Sequence, residues 1–75
     1  MGERGTPRLT ADRILTILKR HGFHLAAQSG SHQKWRNAET GKQVIVAVHR
    51  GRVLPLGTMR AIIEGSGIAR DEWTR

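Results

Sequence analysis

The sequence has no cysteine and no tyrosine, and its only aromatic residues are two tryptophans and one phenylalanine. Without cysteine, disulfides and thiolate metal sites are excluded. The chain also lacks the run of about 20 apolar residues that a membrane span requires, the apolar stretch of a signal peptide and a Walker-type glycine loop. We therefore expect a soluble, cytoplasmic protein with no membrane partner.

Acidic residues are scarce as well. Six Asp and Glu stand against thirteen Lys and Arg, which gives a formal net charge of +7. Most of these cations are arginine, whose planar guanidinium matches the geometry of phosphate. Such an excess on a small chain predicts a polyanionic partner, with nucleic acid favoured over an acidic protein.

The length of 75 residues fits one domain. Residues 1–8 combine glycine, proline and charge, so we expect a loose arm there and a single domain over residues 9–75. A chain this short buries only about 60–65% of the surface that its unfolded form exposes. A site on the surface, or one shared with a partner, is therefore favoured over a deep pocket.

Two segments have the spacing of amphipathic helices. Thr10 is a typical N-cap for the first helix and Gly22 a typical C′ residue. The apolar residues between them recur at i, i+3, i+4 and i+7: Ala11, Ile14, Leu15 and Leu18. Thr58 is the predicted N-cap of the second helix, whose apolar stripe is Met59, Ile62 and Ile63 and which ends at the glycines at 65 and 67.

Three segments between these helices alternate with the period of a strand, residues 23–28, 31–37 and 43–49. Gly30 and Gly41 lie in the short turns that connect them. Strands joined by short turns form an antiparallel sheet, and both helices must cover its one apolar face. The sequence therefore predicts an α+β fold of the order α-β-β-β-α.

The second strand decides which side chains face solvent. Trp35 should face the core, with Gln33 and Asn37 on its side near the strand ends. Three side chains then share the opposite, open face: His32, Lys34 and Arg36. His49 joins them if the third strand keeps its regular alternation.

His32 is the candidate for chemistry. It follows Ser29-Gly30-Ser31, and neither the turn nor the strand requires a histidine there. An imidazole exchanges protons near neutral pH, and the neighbouring cations can hold a phosphate. These parts suffice for RNA cleavage without a metal, although an ordinary surface histidine beside two phosphate-binding residues is the alternative.

The remaining candidates have simpler explanations. The four histidines, at 21, 24, 32 and 49, have no spacing typical of a metal site, so we expect no metal and no cofactor. His21 suits the C-terminal end of the first helix dipole, and His24 suits the surface. Both tryptophans are needed for the core rather than for stacking on bases.

The chain resembles the HicA-type toxins of bacterial toxin–antitoxin systems. The likeness covers roughly residues 10–74, and its most specific parts are Gly30-Ser31-His32 and Leu56-Gly57-Thr58 followed by Arg60. The resemblance implies a double-stranded-RNA-binding-domain-like fold. It also implies a small ribonuclease that cleaves mRNA without metal and is held inactive by a HicB-type antitoxin.

On this basis His32, the histidine of the Gly-Ser-His motif, is the predicted catalytic residue. Ser31, Lys34 and Arg36 are expected to position the scissile phosphate, and His49 is a possible second proton carrier. The predicted RNA-binding residues are Gly30, Arg36, Arg50, Arg52 and Arg60. The free protein is expected to be a monomer.

Two positions depart from the family pattern. Gln33 stands where a second histidine is common, and Ala47 stands where the family often has a proline two residues before His49. The alternative function is therefore an RNA-binding module of the same fold that does not cut. A third possibility is a domain that binds only protein.

Overall fold

The structure is a computed structural model of the chain and describes residues 6–74. Its helices are α1 (Ala11–Arg20), α2 (Leu56–Ser66) and a C-terminal 3₁₀ helix (Arg70–Trp73), and its strands are β1 (Phe23–Ser29), β2 (His32–Asn37) and β3 (Gln43–Ala47). The strands form one antiparallel sheet in the order β1-β2-β3. The predicted α-β-β-β-α order and the double-stranded-RNA-binding-domain-like fold are confirmed. None of the described helices is long and apolar enough to cross a membrane.

The core lies between the inner face of the sheet and the helices. Trp35 in β2 and Trp73 in the 3₁₀ helix are both buried, as expected for core residues. The other buried apolar side chains come from α1, β1, β3, the loop before α2 and α2 itself: Ala11, Ile14, Ile17, Leu18, Phe23, Val44, Val46, Leu54, Met59, Ile62 and Ile63. Both tryptophans are therefore committed to packing and are not available to stack on bases.

The limits of α1 agree with the prediction. Thr10 has an extended backbone, and its Oγ1 accepts a hydrogen bond from the Arg13 N–H at 3.4 Å. At the other end Gly22 has a φ of 88°, the left-handed conformation that a C′ glycine adopts without strain. His21 caps the helix there, and its Nε2 lies 3.4 Å from Glu72 Oε1 of the 3₁₀ helix.

The predicted start of α2 is wrong. The helix begins at Leu56 with Pro55 as its N-cap, and the Met59 N–H donates to the Pro55 carbonyl at 3.0 Å. Thr58 therefore lies inside the first turn and makes no side-chain cap. The fixed φ of proline already sets the chain direction for a helix, so the preference of threonine for caps does not decide the boundary.

The regular alternation predicted for β1 is also wrong. The pairing with β2 shifts between Leu25 and Ala27, so Ala26 is an extra residue, a β-bulge. After the bulge Ala27 lies opposite Lys34 on the outer face. Every residue of β1 after Phe23 is exposed, and Leu25 is 47% exposed although it lies opposite Trp35.

Part of the predicted N-terminal arm, residues 1–5, lies outside the described residues. Thr6 is described and buried, and its Oγ1 accepts a hydrogen bond from Arg70 Nη2 at 3.3 Å. The segment that follows is held too, because Thr10 forms an isolated bridge with Val53. The chain leading into α1 is thus joined to the loop after β3.

Asn37 connects three parts of the fold. Its Nδ2 donates to the carbonyl of His21 at 3.0 Å, and its Oδ1 accepts from the N–H groups of Glu39 and Thr40 at 2.8 and 3.2 Å. The side chain is buried, and all three of these bonds are partly shielded from water. Asn37 thereby fixes both the end of α1 and the loop between β2 and β3.

We predict that Asn37→Ala lowers the free energy of unfolding by about 2–3 kcal/mol, since it removes three partly buried hydrogen bonds from a buried position. Asn37→Asp retains the acceptor and loses the donor, so it should cost less than the alanine variant. Urea unfolding followed by tryptophan fluorescence measures both. Equal stability of Asn37→Ala and the native chain would contradict this role.

Candidate functional site

The turn between β1 and β2 places His32. Ser29 and His32 are paired, so Gly30 and Ser31 form a two-residue hairpin loop. Gly30 has a φ of 59°, and glycines are the only described residues with a positive φ. A positive φ at the first central position alone defines a type II′ turn, which requires glycine there.

Two hydrogen bonds hold this turn. Gln28 Nε2 donates to the Gly30 carbonyl at 3.1 Å, and the Val48 N–H donates to the Ser31 carbonyl at 2.8 Å. The first bond comes from β1 and the second from the end of β3. His32 therefore begins its strand from a backbone fixed on both sides, while its own side chain is exposed.

The predicted outer face of β2 is confirmed by its pairing. His32 lies opposite Ala47, Lys34 opposite Ile45, and Arg36 opposite Gln43. His32 and Lys34 line one shallow depression of about 260 Å³ together with Ala27, Gln28, Ser29 and Ile45. A titratable side chain and a cation thus share one small, open site.

No carboxylate lies among the outward residues of the three described strands. Those residues are His24, Ala27, Ser29, His32, Lys34, Arg36, Gln43, Ile45 and Ala47. Arg36 is exposed at the far end of β2, about 13 Å from His32 at the usual rise per residue of a strand. The face therefore attracts anions, and at this distance Arg36 is not expected to hold the same anion as His32, in contrast to the role predicted for it at the scissile phosphate.

His49 does not continue this face. β3 ends at Ala47, and the Arg52 N–H donates to the His49 carbonyl at 3.2 Å, which closes a turn. Gly51 at its third position has a φ of 75°, as a type II turn requires. The condition for His49 to lie beside His32 on a regular strand is therefore not met.

His49 instead lines a second depression of about 360 Å³. Its other lining residues are Ala47, Arg52, Val53, Leu54, Pro55 and Thr58. Ala47 is the residue paired with His32, so this depression begins one strand away from His32. Arg50 is exposed in the turn, and Arg60 is exposed on α2 without lining either depression.

The two departures from the family pattern have clear structural settings. Gln33 is half-buried, and its Oε1 accepts a hydrogen bond from Trp35 Nε1 at 2.9 Å. It therefore belongs to the core side of β2 and not to the face of His32. Ala47 pairs with His32 at a position whose N–H points away from β2, so the absence of a proline there leaves the β2–β3 ladder unchanged.

Sequence patterns did not reveal the part played by Gln28 and Val48. The sequence predicts a regular strand through Gln28, whereas the pairing shifts just before it and its side chain bonds the turn. Within residues 6–74 no group of three His, Asp or Glu side chains lies close enough to hold a metal ion.

A family model described as the HicA toxin of bacterial toxin–antitoxin systems matches residues 11–68. The chain belongs to this family. The match runs from the first residue of α1 to Ile68, just beyond α2, so it includes both depressions and all three strands. No curated protein matches the chain. This HicA-type toxin therefore belongs to a system in which an antitoxin is its partner.

We predict that Gly30→Ala destabilises the toxin by about 1–2 kcal/mol, because the turn forces the new side chain into a left-handed conformation. A Cβ at Gly30 meets no atom within 4 Å, and the same holds at Gly57 in α2. Gly57→Ala is thus a matched control without the backbone strain, and it should be neutral or stabilising. Thermal unfolding of both variants measures the difference, and equal effects would contradict the strain.

Proposed function

We propose that this HicA-type toxin is a metal-independent endoribonuclease that cleaves mRNA, with His32 as its proton carrier. One observation carries the proposal. His32 and Lys34 share a depression on a sheet face that has no carboxylate among its outward residues. A phosphodiester can approach such a face without charge repulsion, and its phosphate then lies between a proton acceptor and a cation.

The proposed reaction is an internal displacement on RNA. The imidazole of His32 takes the proton of a ribose 2′-OH, and the 2′-oxygen forms a bond to the adjacent phosphorus. The bond from phosphorus to the 5′-oxygen breaks, and that oxygen takes up a proton from His49 or from water. The products are a 2′,3′-cyclic phosphate and a 5′-hydroxyl.

Lys34 stabilises the charge that develops on the phosphorane, as fixed cations do in phosphoryl chemistry. Ser31, half-buried in the turn, contributes its hydroxyl to the position of the phosphate, and Gly30 lets the backbone approach closely. RNA would follow the sheet from Arg36 across His32 to the depression of His49 and Arg52, with Arg50 exposed in the turn beside it. Arg60 would attract the backbone from α2. Contacts of this kind position RNA without reading its sequence.

A HicB-like antitoxin is the proposed partner. An antitoxin that covers the outer face of β2 blocks His32 and Lys34 directly, and the net charge of +7 favours an acidic surface on it. The proposed location is the cytoplasm, where mRNA is translated, and the proposed state of the free toxin is a monomer.

A non-catalytic RNA-binding module is the alternative outcome. Gln33, which stands in place of a second histidine, gives it little support because that side chain is engaged with Trp35 on the core side. Whether the chain cuts RNA or only binds it therefore depends on His32.

We predict that His32→Ala lowers the rate of RNA cleavage in EDTA by about 10²–10⁴-fold, the usual contribution of a general acid or base. The substrate is a single-stranded RNA labelled at one end, and the products should carry 2′,3′-cyclic phosphates. His24→Ala is the matched control, since His24 is also an exposed histidine of the outer face but lies opposite Arg36 at the other end.

The two variants and the native toxin must be purified identically, because traces of another ribonuclease would cut all three alike. Equal cleavage by the His32→Ala variant and the native chain contradicts the assignment of His32. If no variant cuts and all bind RNA, the chain is a binding module and the proposed activity is wrong.

We predict that Arg52→Ala weakens RNA binding about 3- to 10-fold and lowers the salt dependence by about 0.7 in log–log slope, the amount expected for one lost phosphate contact on a single strand. Binding is measured by fluorescence anisotropy in the His32→Ala background, so that no RNA is consumed. Arg20→Ala removes the same charge from the last turn of α1 and should change affinity less. Identical losses for both would mean that only net charge matters.

A further inference from the structure

The two edges of the sheet differ in how they are protected. Native proteins guard exposed edge strands with bulges, prolines or charges, because an open edge pairs with other chains. The β1 edge contains the bulge at Ala26. The β3 edge, Gln43–Ala47, has five residues without a proline, a charge or a register shift in its pairing. It is therefore the unprotected edge.

The hydrogen bonds show which groups of β3 are unused by β2. The Asn37 N–H donates to the Lys42 carbonyl, and the Val48 N–H donates to the Ser31 carbonyl. Hydrogen-bonded and non-bonded pairs alternate along an antiparallel ladder, so Val44 and Val46 are bonded to β2. The N–H and C=O groups of the other three residues point away from β2, at Gln43, Ile45 and Ala47.

A groove of about 640 Å³ runs along this edge between β3 and α2. On the helix side it is lined by small residues one turn apart, Gly57, Ala61 and Gly65, together with Pro55, Thr58 and Ile62. On the strand side it is lined by Gln43, Val44 and Ile45, from both faces of the sheet. None of these lining residues is charged.

We propose that the β3 edge and this groove bind an extended segment of an acidic polypeptide partner, which adds to the sheet as a fourth strand. The partner would pair with Gln43, Ile45 and Ala47, and alternate side chains would enter the groove beside Ala61. Strand addition of this kind obtains affinity from main-chain hydrogen bonds and selectivity from the pockets for alternate side chains.

Charge determines the kind of occupant. RNA requires cations at its phosphates, and the groove lining has none. A second copy of this chain would bring together two molecules of net charge +7 each, whereas an acidic polypeptide is attracted. The chain belongs to a toxin–antitoxin family, so the antitoxin is the protein partner that this inference requires. The inference does not depend on ribonuclease activity.

The position of the added strand has a consequence for the outer face. Neighbouring strands lie about 4.8 Å apart, so the new strand would lie about 10 Å from β2, which carries His32. Ile45 lines both the groove and the depression of His32 and Lys34. Outward side chains of the partner strand would therefore continue the row formed by Lys34 and Ile45, next to the candidate site.

A proline at position 45 tests the pairing. The Ile45 N–H is not used by β2, so Ile45→Pro removes a donor of the free edge and adds a ring there while the β2–β3 ladder remains. Ile45→Thr is the matched control, since it shortens the same side chain and keeps both the N–H and the branched Cβ. Circular dichroism and tryptophan fluorescence establish that both variants are folded.

The probe is the toxin's own antitoxin, purified and titrated against each variant by calorimetry. We expect Ile45→Pro to weaken binding at least tenfold and Ile45→Thr to change it less than about threefold. Binding of the proline variant as tight as that of the native chain would overturn the proposal, and so would the absence of any complex with the native toxin.

Hydrogen exchange of the native complex is the second measurement. The amides of Gln43, Ile45 and Ala47 should become protected when the antitoxin binds, while those at the β1 edge should not. Unchanged exchange at the three amides would overturn the proposal. A dimer of the free toxin that Ile45→Pro abolishes would also overturn it, because the edge would then be an interface between two copies.

Discussion

One-sided burial is the constraint on which the rest of this structure depends. A three-stranded sheet with helices on one face alone must put every second side chain of its strands into water. Trp35 fixes the arrangement, because it is buried and lies opposite Val44 on β3. A slip of one residue would turn Trp35 to solvent and bury His32 and Lys34. The register that builds the core therefore also displays the candidate site.

The same constraint explains why the candidate site is shallow. The core uses the inner face, so no enclosed pocket forms beside His32, and the site must obtain its geometry from backbone precision instead of burial. The type II′ turn supplies it. The Gly30 and Ser31 carbonyls are held from β1 and from the end of β3, by Gln28 and Val48 respectively. An exposed histidine on such a fixed backbone suits a long, flexible substrate such as single-stranded RNA.

Patterns of neighbouring residues predicted the limits of α1 and the two faces of β2, because caps, turns and alternation depend on residues close in sequence. Thr10, Gly22 and the alternation around Trp35 have the conformations and burial expected from the sequence. The order of the elements followed from these patterns, and so did the face shared by His32 and Lys34. Sequence alone thus located the candidate site.

Long-range hydrogen bonds decided the features that the sequence did not predict. The Leu54 N–H donates to the Leu9 carbonyl at 3.0 Å, and Thr10 bridges Val53. These contacts draw the chain away from the sheet after β3, so His49 lies in a turn and α2 begins early, after Pro55. Nothing in the spacing of residues 48–55 indicates a partner more than forty positions away.

The proposed RNA site and the proposed polypeptide site meet at Ile45. Ile45 lines the depression of His32 and also the groove along the β3 edge, so an RNA strand on the face and a polypeptide strand on the edge would adjoin there. If each hinders the other, the coupling free energy must be the same in both directions. An antitoxin could then lower the affinity for RNA without reaching His32, and RNA would lower the affinity for the antitoxin by an equal factor. The antitoxin would then inhibit RNA binding from the β3 edge, which lies one strand away from His32.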